Sequence, residues 1–178
     1  MRILVVGDTW GAREPLRYIL NYEKCDRIIF LGDYVSDLES LSPKVNFPPY
    51  VVKGECDSFH TRPFEIITNI CGFKFYIVNG FLYKTKNNLA SLKEFASERD
   101  FDVVLYSCVK KPQAEIFEER TMFLTPGSFG RPALGDKCNY MVLTITPEHF
   151  DYEFKEYNLE RVYEDHKLEK INMTKRRF

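Results

Sequence analysis

Arg2-Ile3-Leu4-Val5-Val6-Gly7-Asp8, Arg27-Ile28-Ile29-Phe30-Leu31-Gly32-Asp33 and Tyr50-Val51-Val52-Lys53-Gly54-Glu55-Cys56-Asp57 decide the fold. Each is a short apolar run halted by glycine and then by a carboxylate. β-Branched and aromatic residues favour strands, and runs that are apolar throughout, not at alternate positions, belong to strands covered on both faces. Between the first two runs, Gly11 to Tyr22 places Leu16, Ile19 and Leu20 on one face of an amphipathic helix. Strand, helix, strand implies parallel pairing through a crossover. In such sheets ligands gather at the carboxyl ends of the strands, which is where Asp8, Asp33 and Glu55 fall.

The texture changes from Glu65. Glu65 to Ile70, a turn at Cys71-Gly72, and Phe73 to Val78 read as a hairpin that ends at Asn79-Gly80. Asn87 to Arg99 spaces Leu89, Leu92, Phe95 and Ala96 for one buried helix face, and Asp102 to Tyr106 is a strand stopping at Ser107-Cys108. Short antiparallel candidates follow at Ala114 to Glu118, Thr121 to Leu124, Tyr140 to Thr146 and His149 to Tyr157. The expectation is a parallel half followed by an antiparallel half, packed as two sheets face to face between helical layers. A single Asp after a strand is explained by a helix cap or a turn. Five successive strand ends carrying Asp8, Asp33, Glu55, Asn79 and Cys108 are instead arranged to converge on one bound cation.

Composition bounds the class. The 178 residues are 44% hydrophobic and 29% charged, which fits a folded domain and excludes a disordered or membrane chain. Lys and Arg total 25 against 26 Asp and Glu, so the net charge of −1 supplies no field to gather nucleic acid or anionic membrane. The apolar run at the start is too short for a signal sequence, and no later stretch approaches the roughly twenty apolar residues of a membrane span. Five cysteines, Cys25, Cys56, Cys71, Cys108 and Cys138, form no CxxC and read as reduced thiols of a cytoplasmic protein. One domain over residues 1–165 is expected, with a polar, basic tail over 166–178.

Taken in order, Gly7-Asp8, Gly32-Asp33, Gly54-Glu55-Cys56-Asp57, Asn79-Gly80-Phe81, Ser107-Cys108-Val109-Lys110-Lys111-Pro112 and Thr125-Pro126-Gly127-Ser128 resemble the calcineurin-like metallophosphoesterase superfamily. The closest branch is its small bacterial and archaeal phosphodiesterases, which also resemble the retromer scaffold subunit. The resemblance runs from Asp8 to about Pro132 and implies an α/β fold, a four-layer α-β-β-α sandwich of two mixed sheets. It also implies two divalent metals that position a phosphoester and activate a hydroxide. The motif histidines are absent. Where the family has Asp-x-His, this chain reads Asp8-Thr9-Trp10; the bridging Asp33 is intact. Gly-Asn-Cys-Asp becomes Gly54-Glu55-Cys56-Asp57, His-Gly-His becomes Asn79-Gly80-Phe81, and Gly-His-Thr-His-Lys-Pro becomes Ser107 to Pro112. His60, His149 and His166 occupy none of these positions, although His60 lies three residues past Asp57 and could reach the same mouth.

Sorted by metal site, the matched positions imply unequal damage. The first site keeps Asp8 as a remnant beside Asp33; Trp10 blocks it, and the Lys110 ammonium stands in for the ion. The second keeps four electron-pair donors, Asp33, Glu55, Asn79 and Cys108, able to hold one divalent ion (Mn, Fe or Zn). Against that stands a site with no metal, in which Glu55 pairs with Lys53 or Lys110 and Cys108 is merely buried. Arg131 and Lys111, beside the Pro-Gly-Ser turn, are candidate anion contacts, Asp57 holds its loop, and Trp10, Tyr34 and Phe81 would form an aromatic patch. Two functions follow. One is a catalytically impaired or inactive module that binds a protein partner or a small anionic ligand, with a homodimer through the antiparallel edge strands as one possibility. The other is a divergent phosphodiesterase or phosphatase working with a single divalent metal.

Overall fold

Residues 1–41, 49–158 and 162 are described by the computed structural model. In chain order they form β1 (Arg2–Val6), α1 (Arg13–Glu23), β2 (Arg27–Phe30), α2 (Val35–Glu39), β3 (Tyr50–Val51), β4 (Glu65–Ile70), β5 (Phe73–Val78), α3 (Ala90–Ser97), β6 (Val103–Tyr106), β7 (Gln113–Phe117), β8 (Thr121–Thr125), β9 (Cys138–Thr146) and β10 (His149–Tyr157). The expected tail and the boundary at residue 165 lie outside the described residues.

Two five-stranded mixed sheets result, ordered β10-β9-β1-β2-β3 and β4-β5-β6-β8-β7. The expectation of a parallel half followed by an antiparallel half is corrected: both sheets are mixed, the first with β1, β2 and β3 paired in parallel on one side and β9 and β10 paired antiparallel on the other, the second with parallel β5, β6 and β8 inside and antiparallel β4 and β7 at its edges. β1 pairs in parallel with β2 on one side and antiparallel with β9 on the other. A strand apolar on both faces needs a neighbour along each edge as well as cover above and below, and β9 is the long strand that supplies it. In the second sheet β8 lies between β6 and β7, parallel to the first and antiparallel to the second. β7 is an edge strand with four of its five residues exposed, which suits it to the outside of the sheet.

Period-two alternation sorts the side chains into three apolar layers. Ile3 and Val5 of β1, Phe75 and Ile77 of β5, Val103 and Leu105 of β6, and Met141 and Leu143 of β9 meet between the sheets. The opposite face of β1, Leu4 and Val6, packs with Leu16 and Ile19 of α1 and Val35 and Leu38 of α2. On the far side, Tyr76, Val78, Val104 and Tyr106 pack with Leu92 and Ala96 of α3. Helix, sheet, sheet, helix is the four-layer sandwich expected.

Of the two expected helices, α3 is shorter at both ends and α1 is displaced toward Glu23, while α2 was not expected. α1 begins at Arg13 because Gly11, at φ +82°, turns its amide to the Asp37 carboxylate, which also accepts from Arg13 Nε at 2.8 Å. One buried acid fastens α1 to the sheet: Glu23, at its last residue, accepts from Tyr140 of β9 at 2.7 Å, Lys155 of β10 at 3.0 Å and Arg2 of β1 at 3.0 Å.

Candidate functional site

The carboxyl ends of β1, β2, β3, β5 and β6 meet at one end of the sandwich. Close approach at two glycines shows how tightly. A Cβ on Gly54 would lie 1.8 Å from Asp33 Oδ1 and 2.6 Å from Asn79 Nδ2. One on Gly130 would lie 1.7 Å from the Thr9 carbonyl oxygen, and the Gly130 amide donates to the Asp8 carbonyl at 2.9 Å. The loop after β8 therefore closes over the loop after β1.

Most polar atoms here already have partners. Asp57 accepts from the amides of Val35 at 2.9 Å and Gly54 at 3.1 Å, so it holds two loops together. Asp33 Oδ1 accepts from the Cys56 amide at 3.1 Å. Asn79 is fully buried; its Nδ2 donates to the Leu31 carbonyl at 2.7 Å, and its Oδ1 accepts from the Phe81 amide at 3.0 Å and the Cys108 thiol at 3.2 Å. Burial, then the nearby Asp8 and Asp33 charges, push the Cys108 thiol up to about 12, so it is a protonated donor at neutral pH.

Asp8 is the exception. It is 6% exposed, and its Oδ1 has no hydrogen-bond partner. Burial above all, then the neighbouring Asp33 charge, raises its carboxyl to about 6, while Lys110 and Lys86 oppose the rise. Asp33 is also raised, chiefly by burial. The Trp10 indole Nε1 is likewise buried without a partner, and its ring leans on Tyr34 at 4.9 Å.

The cations lie farther out. The Lys110 ammonium, expected between Asp8 and Asp33, instead donates to the Arg131 carbonyl at 2.7 Å and reaches Asp8 only through its field. Among the described residues it makes no ion pair with either carboxylate. Arg131 sets its guanidinium 4.6 Å over the Trp10 ring, and Lys111 faces Asp136 at 3.6 Å. Glu55 turns outward to Lys86 at 3.9 Å, not to Lys53 or Lys110. His60 sits 3.5 Å from Glu39. Phe81 joins no ring contact among the described residues; it lines an open cleft of about 390 Å³ with Glu55, Leu82, Lys84, Lys86 and Asn87.

A metal centre needs several free electron-pair donors aimed at one point. Among the described residues no group of three or more His, Cys, Asp or Glu side chains is placed to hold an ion. The Asn79 amide oxygen already accepts two hydrogen bonds, Cys108 keeps its proton, and Glu55 is directed to solvent. The donors as arranged do not fit a two-ion centre.

Residues 1–148 match the calcineurin-like phosphoesterase superfamily domain. The chain belongs to that superfamily. It is 28% identical over 147 residues to a probable metallophosphoesterase, YsnB, of Bacillus subtilis, covering 82% of this chain and 85% of that one. Its fold is shared with a predicted phosphoesterase of Streptococcus pneumoniae, at TM-score 0.69 and 23% identity over 87% of this chain and 88% of that one. It is also shared with Vps29 of Entamoeba histolytica, crystallised with zinc, at TM-score 0.68 and 18% identity over 89% of this chain and all of that one.

Two residues at the site carry no sequence signal strong enough to single them out. Asp37 is fully buried and accepts from Thr9, Gly11 and Arg13; its only cue is its place one turn after Asp33. Lys86 acts on both Asp8 and Cys108 from a loop without a motif. The five cysteines are all free, and among the described residues no helix is long and apolar enough to cross a membrane.

Proposed function

We propose that this superfamily member has a degenerate metal site, is catalytically impaired or inactive as a phosphoesterase, and uses the strand-end cleft to bind a ligand or a protein partner. One observation carries the reading: the Asn79 oxygen and the Cys108 sulfur, two of the four donors of a single-ion site, are spent on each other in a buried hydrogen bond. Extracting them for a metal breaks that bond and requires Cys108 to lose a proton that burial holds tightly. Trp10 in place of an imidazole and the outward Glu55 act in the same direction. Hydroxide activation by paired ions, the chemistry of this superfamily, then has no support, while the rim keeps Arg131 and Lys111 as contacts for an anionic group.

The experiment is metal analysis and turnover together. Protein purified without chelator and then loaded with Mn, Fe or Zn is expected to retain no stoichiometric ion and to hydrolyse bis(p-nitrophenyl) phosphate at the buffer rate. Stoichiometric metal that is lost in Cys108→Ala, with phosphodiester cleavage at the pace of the Bacillus subtilis relative, establishes a single-metal phosphodiesterase instead.

A further inference from the structure

We propose that the buried position between Asp8 and Asp33 receives an organic ammonium group, carried by a small primary amine or by a lysine side chain of a partner. The inference rests on the reading that no metal centre assembles there, and it names what the vacated chemistry accepts in its place.

The starting point is an unmet requirement. Asp8 is more than nine-tenths buried, lies within electrostatic reach of a second carboxylate, and leaves Oδ1 without a donor. A buried carboxylate oxygen lacking a partner is costly, and an adjacent like charge adds to that cost. The chain has two ammonium groups near enough to act on Asp8, yet neither reaches it: Lys110 is hydrogen-bonded to the Arg131 carbonyl, and Lys86 is turned toward Glu55.

The kind of occupant follows from the donors available. A divalent ion wants four to six electron-pair donors, and among the described residues no three His, Cys, Asp or Glu side chains are placed together to hold one. An ammonium has three N–H groups and is satisfied by fewer: an oxygen from each carboxylate and a water or aromatic face for the third. Aromatic residues follow both acids closely in the chain. Trp10 is two residues past Asp8, Tyr34 follows Asp33, and the two rings are in contact at 4.9 Å. The Trp10 ring already carries one cation on its face, the Arg131 guanidinium. An anionic group is repelled from this position by two carboxylates, so the Arg131 and Lys111 contacts of the rim belong to a separate part of the cleft.

Trp10 is the single tryptophan of the chain, so its emission reports on this position. Chelator-treated protein is titrated with n-butylammonium chloride at ionic strength held constant with sodium chloride, with n-butanol as the neutral control. A saturable change in emission with butylammonium and none with butanol is expected, with binding weakened about tenfold or more in Asp8→Asn and in Asp33→Asn and unaltered in Lys93→Ala, which lies on α3 over the far face of the second sheet. Both sources of the ammonium support the proposal: equal affinity for butylammonium and for a lysine-containing peptide assigns the small amine, and tighter binding of the peptide, abolished by Nε-acetylation, assigns a partner's lysine. A linear response, an equal response to butanol, or unchanged affinity in a folded Asp8→Asn protein overturns it. Manganese is titrated in parallel. Failure of the amine with no manganese binding sinks only the ammonium, whereas stoichiometric manganese with phosphodiester turnover sinks the degenerate-site reading as well.

Discussion

Asp8 pays for its position in protons. Its carboxyl titrates near 6 in the folded chain against an ordinary 3.8, so the folded state binds that proton more tightly than the unfolded state does. The associated stability is fully present below about pH 4 and is lost as pH rises through 6. A displacement of this size corresponds to about 2–3 kcal/mol. Asp8→Asn removes it. Urea unfolding of parent and variant is expected to give equal stabilities near pH 4 and a variant more stable by about 2 kcal/mol at pH 7.5; a difference independent of pH would show that Asp8 has a partner in solution. Residues of this kind were half legible in the sequence. Asp8, Asp33, Asn79 and Cys108 announce themselves as strand-end polar groups, and they do converge. Which way Glu55 and Lys110 point was not legible, because a long side chain at a loop chooses among partners that only the folded surface brings near, here Lys86 and the Arg131 carbonyl.

Among the elements, α1 is fastened by a charge as well as by its apolar face. Glu23 gathers Tyr140, Lys155 and Arg2 from three strands. Glu23→Ala leaves Lys155 without its buried partner and is expected to cost about 3 kcal/mol, while Tyr140→Phe, which removes one donor, costs about 1 kcal/mol; equilibrium denaturation measures both. Equal small losses would mean that leucine and isoleucine packing alone seats the helix. Strand positions were read closely from the sequence, since β1, β4, β5 and β10 fall on the expected residues. Their partners were not, because a nine-residue apolar strand such as β9 fits an edge beside β1 or a separate antiparallel sheet equally well by pattern alone. The need to close the open edge of β1 decides it. The start of α1 was misplaced for a local reason: Asp37 captures the Gly11 amide and the backbone there leaves the helical region, so the helix begins at Arg13 and not at Gly11.

At the scale of the whole molecule, the middle apolar layer belongs to both sheets at once. Leu105 is fully buried there among Ile3, Ile77 and Leu143. Leu105→Ala is expected to cost about 2–5 kcal/mol and to lower together the midpoints seen by far-ultraviolet circular dichroism and by Trp10 emission. Separated midpoints would show that the sheets melt independently. The pairing of β1 bears on how such a chain is made. β1 is synthesised before β9, yet β9 is one of its two flanking neighbours, and the register that sets Arg2 against Thr144 and Val5 against Met141 puts the paired residues 136 to 142 positions apart. Until β9 has been made, one edge of β1, whose residues 3–6 are all apolar and buried in the fold, has no partner, and the unfinished chain carries that edge as an aggregation hazard.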